Sequence, residues 1–229
     1  MIKYQGLSTL EILEVAKNYN KWIAEQCLQH IKSPLLEVGS GTGNISKFFL
    51  SKKGVTLSDI DAGLVKTLKK KFSQKSVSIQ KIDISKKLTK RNKYQTIVAI
   101  NVLEHIQDDK KAIKNMHALL QKGGKIILLV PAKKFAYTEF DRLLGHHRRY
   151  EKEKLKKLTE KSGFITEKIY YFNFVGLWSW ILRSKMEKSH SLKPYQVAIF
   201  DKIVPYLKVI EKVIPVPVGV SLILVGVKK

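Results

Sequence analysis

The segment Leu35-Leu36-Glu37-Val38-Gly39-Ser40-Gly41-Thr42-Gly43 places three glycines at alternate positions directly behind a short apolar run, and Asn44 to Leu50 then reads as a helix. A run this short between punctuating residues reads as a buried strand. Glycines let the main chain take positive φ and approach a ligand closely, and a helix start would aim unpaired N–H groups over the loop. A second apolar run, Val55 to Ser58, ends in Asp59, twenty residues past Gly39. A carboxylate there can accept hydrogen bonds from two ribose hydroxyls. The chain is thereby directed toward a parallel α/β sheet with a nucleoside cradle at one strand end.

The spacing narrows what the cradle would hold. A phosphate loop needs Gly-Lys-Ser/Thr at its end, whereas Gly43 is followed by Asn44. A dinucleotide fold wants G-x-G-x-x-G, and here an acid, Glu37, stands in front of the glycines. That acid repels a pyrophosphate and suits a cofactor carrying an amino cation and a sulfonium. Ser78 to Ile84 reads as a third strand, Tyr94 to Asn101 as a fourth running into Val102-Leu103-Glu104-His105-Ile106, and Leu119 to Pro131 as a glycine turn and fifth strand. In this order the segments resemble the class I S-adenosylmethionine-dependent methyltransferases over residues 18 to 176, with Gln95 departing from the usual Asp. The resemblance implies a Rossmann-like, seven-stranded, mostly parallel sheet with helices on both faces. It also implies S-adenosyl-L-methionine as cofactor. Glu37 would lie near the methionine amino end, Gly39, Ser40 and Gly41 along it, and Asp59 at the ribose. Ile60 would lie against the adenine, Asp83 and Ile84 near its amino group, and Asn101 beside the methyl. His105 would pack beside the cofactor and is a secondary catalytic candidate.

With 229 residues, 44% of them hydrophobic, the chain can close one sizeable core as a single domain over 1–229. Residues 1–33 read as an N-terminal helical cover. Its helix is expected from Ser8, with Glu11 completing a capping box, to about Ile31. Tyr19 and Trp22 either lie over the cofactor or simply form its apolar face. A lone cysteine, Cys27, excludes an internal disulfide and favours a reducing compartment. Met1 to Gly6 lacks the features of a secretion signal, and the longest apolar stretch, Val213 to Val227, is short for a bilayer span and contains Pro215, Pro217 and Gly219. The expectation is a cytoplasmic protein, with a place peripheral to the membrane left open.

The formal charge of +24 comes from lysines spread along the chain, among them Lys66, Lys69 to Lys71, Lys86, Lys87, Lys90, Arg91 and Lys93. Such solvated faces give weak, salt-sensitive affinity for polyanions. A base methyltransferase usually follows its fourth strand with Asn/Asp-Pro-Pro-Tyr/Phe for a flipped base, and the chain has Asn101-Val102-Leu103-Glu104 there. Nucleic acid is therefore the lesser partner, with RNA methylation kept as an alternative alongside a non-catalytic scaffold of the same fold.

Past the fifth strand, polar, aromatic and imidazole groups concentrate in Phe140-Asp141-Arg142-Leu143-Leu144-Gly145-His146-His147-Arg148-Arg149-Tyr150. Ligands of open parallel sheets bind at the carboxyl ends of strands, so this run is placed to reach a methyl acceptor. It resembles a subgroup of small-molecule methyltransferases that includes quinone-type O-methyltransferases. A hydroxyl acceptor must lose its proton, and imidazole exchanges protons near neutral pH. His146 is thus the candidate base or acceptor-orienting group, with Asp141 and Arg149 fixing its position or an anionic part of the substrate. The bland reading has His146 bonding a backbone carbonyl or capping a helix. The acceptor is expected to be an oxygen, less readily a nitrogen, of a small or lipid-linked molecule. The histidine and acid spacing matches no strong metal motif, so no metal ligand is named.

The sixth and seventh strands, Phe164 to Phe172 and Ser221 to Val227, are joined in the family by a tight hairpin, yet more than forty residues lie between them here. Residues 177–220 read as a helical insertion. Phe200, Ile203, Val204, Leu207, Ile210 and Ile214 share one face of its long helix, which Pro205 would bend or restart. The insertion is either a lid or homodimer surface, or an element lying on an anionic membrane surface with Trp178 and Trp180 at headgroup level and Arg183, Lys185 and Lys188 beside them.

Overall fold

The computed structural model describes residues 7–88, 92–186, 193–214 and 216–229. The readings at Met1 to Gly6, Lys90, Arg91, Lys188 and Pro215 lie outside the described residues. Seven strands form one sheet: β1 (Leu35–Val38), β2 (Val55–Asp59), β3 (Ser78–Lys81), β4 (Tyr94–Ile100), β5 (Leu120–Pro131), β6 (Phe164–Phe172) and β7 (Ser221–Lys228). Their order is β3-β2-β1-β4-β5-β7-β6. All neighbours are parallel except β7, which runs antiparallel to both β5 and β6. This is the sheet the sequence predicts.

The strands β1, β2, β4 and β7 are buried almost throughout because both faces are covered, whereas the edge strands β3 and β6 are partly exposed. Successive residues of β4 and β5 go to opposite sides. Ile97, Ala99, Ile126 and Leu128 pack with Ala112, Ile113 and Met116 of α4 (Asp109–Leu119) and Leu155 of α6 (Lys152–Glu160). Val98, Ile100, Ile127 and Leu129 pack with Trp22, Ile23 and Cys27 of α2 (Lys17–Leu28), Leu68 of α3 (Ala62–Lys71), and Val204 and Leu207 of α8 (Pro194–Val213). Strand order reverses between β1 and β4, and such a switch point opens a crevice at the strands' carboxyl ends.

Several local expectations are corrected. Asn44 to Leu50 is not a helix; only a 3-10 turn, Ser46–Phe48, forms there. Side-chain bonds of Asn44 to the Leu10 carbonyl and of Ser46 to Glu37 hold the segment in turns instead. The expected Ser8–Ile31 helix is two helices, α1 (Leu7–Ile12) and α2, separated by a 3-10 turn at Leu13–Val15 and a break at Ala16. The start of α2 is capped from far along the chain: the Asp201 carboxylate accepts from the Asn18 and Tyr19 amides at 3.1 and 2.8 Å. Strand β3 ends at Lys81 rather than Ile84, where Asp83 turns the chain by accepting from the Ser85 amide.

Between β6 and β7 lie α7 (Phe174–Met186) and α8, so the insertion is helical as expected. Helix α8 runs through Pro205 without interruption. Its apolar stripe is split: Val204 and Leu207 are buried, whereas Ile203, Ile210 and Ile214 are exposed. Asp201, committed to capping α2, takes a place on the inner face that periodicity assigned to apolar residues alone.

Candidate functional site

A hollow of about 1210 Å³ opens at the carboxyl ends of β1, β2 and β4, roofed by α1, α2, α7 and α8. Glu37, Gly39, Ser40, Gly41, Asp59, Ile60, Asp83, Ile84 and Asn101 all line it. Gly39 and Gly41 have φ of 71° and 56°, the left-handed region that favours glycine. A Cβ on Gly39 would stand 2.4 Å from Val102 Cγ2. Gly41 donates its amide to Asp59 Oδ2 at 2.9 Å, and the Asp61 amide donates to Oδ1 at 3.0 Å. Each carboxylate oxygen keeps lone-pair capacity for a further donor. Burial raises the Asp59 carboxyl, an effect that the bonds from the Asp61 and Gly41 amides oppose. Asn101 also has positive φ, 52°, a conformation that asparagine tolerates better than most side chains.

Glu37 is 3% exposed and pairs with no cation among the described residues. The hydroxyls of Ser40 and Ser46 both donate to its Oε2. Burial pushes its carboxyl up to about 7, although the two hydroxyls act in the opposite direction. Buried Asn44 Oδ1 and Thr42 Oγ1, beside it in the loop, find no partner among the described residues.

The other end of the hollow is made by the segment after β5. Asp141 lies in the first turn of the short helix α5 (Glu139–Leu143), where its Oδ2 accepts from the amide of the N-cap residue Thr138 at 2.9 Å. Its Oδ1 meets His146 Nδ1 at 2.9 Å and accepts from Arg149 Nε at 3.0 Å. Burial works to raise the Asp141 carboxyl, but the His146 ring and the Arg149 guanidinium outweigh it and hold the group below the usual carboxylate value. Because the Asp141 carboxylate accepts, His146 Nδ1 carries a proton, and in the neutral ring Nε2 is then the nitrogen with the lone pair. Arg149 also donates to the Ala132 carbonyl at 3.2 Å and lies with Cζ 4.7 Å from the Trp180 ring centre. Trp180 donates to the Ala136 carbonyl and packs on Phe140, so it faces inward and is not free to sit at headgroup level; Trp178 is exposed.

A family described as "Methyltransferase domain" matches residues 14–168, more than half of the chain. The chain belongs to that family. Its fold is that of the class I S-adenosylmethionine-dependent methyltransferases. Among solved structures it is similar to a SAM-dependent methyltransferase of Thermotoga maritima, at 17% identity, TM-score 0.67, and 97% and 95% coverage of the two chains. An S-adenosylmethionine-dependent methyltransferase of Mesorhizobium loti aligns at 12% identity, TM-score 0.62, and 91% and 98% coverage. At such identities these likenesses speak for the fold alone. By sequence it resembles highly reducing polyketide synthases of Strobilurus tenacellus (28% identity over 107 residues) and Gibberella fujikuroi (33% over 108). Those alignments cover 42% and 41% of this methyltransferase and only 4% of each synthase.

The residues of the methyltransferase fit its cofactor. A buried carboxylate without a cation, a carboxylate held by two amides with acceptor capacity to spare, and a glycine turn that a Cβ would fill stand along one wall. Reading the sequence missed Glu104, which is fully buried with both carboxylate oxygens lacking a partner among the described residues. It gathers with His105 and His146, one ligand atom of each lying within 4.8 Å of the others. The N-x-L-E-H-I run was visible as a resemblance, but nothing in it says that His146, forty-one residues later, returns to the same spot. Also missed was Trp180 as a wall of the hollow. Among the described residues, no helix is long and apolar enough to cross a membrane.

Proposed function

We propose that the methyltransferase transfers a methyl group to a hydroxyl oxygen of a small, largely apolar acceptor, free or lipid-linked, bound between the α5 segment and the α7–α8 roof. In this reading Glu37 holds the amino end of the cofactor, with Gly39, Ser40 and Gly41 running beside it. Asp59 accepts from the ribose hydroxyls. Ile60, Asp83 and Ile84 surround the adenine, and Asn101 shapes the wall beside the methyl. When bound, S-adenosylmethionine supplies a methyl on a sulfonium centre, the C–S electron pair staying on sulfur as an O–C bond forms and the acceptor's proton leaves. Closeness and orientation supply most of the acceleration of such a displacement. His146 Nε2 takes the proton. Asp141 fixes the ring and stabilises the imidazolium that results, and Arg149 fixes Asp141.

The observation that carries this reading is the Asp141–His146 pair, with bonds of 2.9 and 3.0 Å converging on one carboxylate oxygen, at the edge of the hollow. The apolar roof, Phe140, Val197, Phe200 and Trp180, supports a small organic acceptor over a polyanion. Relatives named as polyketide synthases support the same choice. The test is transfer of labelled methyl from S-adenosylmethionine to phenolic, quinol, sugar and RNA fractions. Label in a phenol or quinol ether that His146→Asn fails to produce supports the reading; label confined to RNA or to amines overturns it.

A further inference from the structure

The carboxylate of Glu104 poses a problem that neither the core nor the cofactor solves. It is fully buried, neither oxygen meets a donor in good hydrogen-bond geometry among the described residues, and the one amide that acts on the carboxylate is the residue's own. Leaving a buried carboxylate without donors is costly, so such a group calls for a cation or a proton. Arg149, the nearest guanidinium in the electrostatic surroundings, is spent on Asp141 and the Ala132 carbonyl. What does face Glu104 is a pair of imidazoles, their rings 4.6 Å apart and nearly perpendicular.

Each imidazole is oriented from behind. His146 gives Nδ1–H to Asp141, and a ring N–H of His105 donates to the Gly145 carbonyl. In both rings the other nitrogen then carries the lone pair. Metal-binding histidines are commonly arranged this way, their second N–H donated to a carboxylate or carbonyl that fixes tautomer and direction.

We infer that Glu104, His105 and His146 form a binding site for one borderline divalent cation such as Zn²⁺, with its open coordination position facing the hollow. Two nitrogens and one carboxylate oxygen suit such an ion better than Mg²⁺ or Ca²⁺, which favour oxygen ligands. Bonds of about 2.0–2.1 Å around a tetrahedral ion set its ligands roughly 3.4 Å apart, so shifts of about an ångström close the present set. His105 and His146 line the hollow while Glu104 lies behind them, so the open position points to where an acceptor oxygen would sit. The seat for the ion stands on this geometry alone. Its role as anchor for the acceptor rests on the oxygen-transfer reading above for the acceptor atom and replaces one part of it: a bound ion would supply Lewis-acid activation of the hydroxyl, whose proton would pass to solvent, and His146 would then hold the ion in place of acting as base.

The test uses the full chain, stripped with a chelator and dialysed against Zn²⁺ or Co²⁺. Metal content is measured by mass spectrometry and, for Co²⁺, by visible absorption. One ion per chain is expected, with the intense absorption of a tetrahedral Co²⁺ site. Affinity should fall at least 100-fold in Glu104→Gln and in His105→Gln, fall 10- to 100-fold in Asp141→Asn, and stay unchanged in His147→Ala. Circular dichroism of each stripped variant checks that it is folded. No ion in the folded wild type, or equal binding by Glu104→Gln, overturns the site. Methyl transfer to a hydroxyl that survives chelation leaves the oxygen-transfer reading standing and overturns the ion's part in it. Stoichiometric binding lost in Glu104→Gln, without transfer to any hydroxyl, upholds the site and removes the oxygen-transfer reading.

Discussion

Glu37→Gln separates two effects of one carboxylate that have opposite signs. Glu37 lies beneath the glycine turn with two serine hydroxyls and no cation, and its carboxyl is raised from 4.5 to about 7. The folded state without cofactor therefore binds a proton more tightly than the unfolded chain does. Stability from this group is greatest below pH 4.5 and is lost as pH rises through 7. At 1.36 kcal/mol per unit, the ionised group costs the free enzyme about 3 kcal/mol at pH 8. Glutamine keeps an acceptor oxygen for Ser40 and Ser46 and removes the charge. Urea unfolding of the free protein should show Glu37→Gln more stable by about 3 kcal/mol at pH 8, with the gain falling below about 1 kcal/mol at pH 5. The cofactor's amino group loses a charge-assisted partner in the same variant, so calorimetry at pH 8 should show its affinity reduced about 10- to 100-fold. Binding to the wild type at pH 7 should release protons, read from the dependence of the heat on buffer. A variant that is less stable at pH 8, or that binds S-adenosylmethionine as the wild type does, would refute this account of Glu37.

Gly39→Ala places a methyl group 2.4 Å from Val102 Cγ2 at φ of 71° and should lower stability by at least 1–2 kcal/mol in urea, with weaker cofactor binding measured by calorimetry. Asp141→Asn removes the acceptor shared by His146 and Arg149; its turnover should fall about 100-fold in the methyl-transfer assay while the cofactor Kd changes less than threefold. Ile127→Ala empties a fully buried position of β5 and should cost about 2–5 kcal/mol in denaturant unfolding, leaving the cofactor site intact at low urea.

The centre of the sheet was legible because β1, β4 and β7 are buried on both faces and so appear as near-continuous apolar runs. The cradle was legible because glycines at 39 and 41 answer a backbone requirement that no other residue meets as well. What the sequence concealed depends on partners far along the chain. Asp201, to which the sequence pattern assigns no role, caps α2 from 182 residues away. Asn44 to Leu50 has the apolar spacing of a helix, but Asn44 and Ser46 spend their side chains on Leu10 and Glu37, and local propensity loses to those bonds. Glu104 sits in a segment whose resemblance drew notice to its neighbour His105; its burial without donors exists only once β5 and the α5 segment close over it. Trp180, which the membrane-surface alternative placed at headgroup level, is held inward by Arg149 and the Ala136 carbonyl, contacts that periodicity cannot reveal.

The central claim is that the hollow seats S-adenosylmethionine with its methyl turned toward the Asp141–His146 end. Nuclear Overhauser contacts from a ¹³C-methyl-labelled cofactor, measured on the full chain, address it directly. Contacts from that methyl to the ring protons of His146, or of His105 beside it, are what this arrangement requires. A bound cofactor whose methyl instead contacts only Ile60 and Leu64, at the opposite end of the cradle, would contradict it.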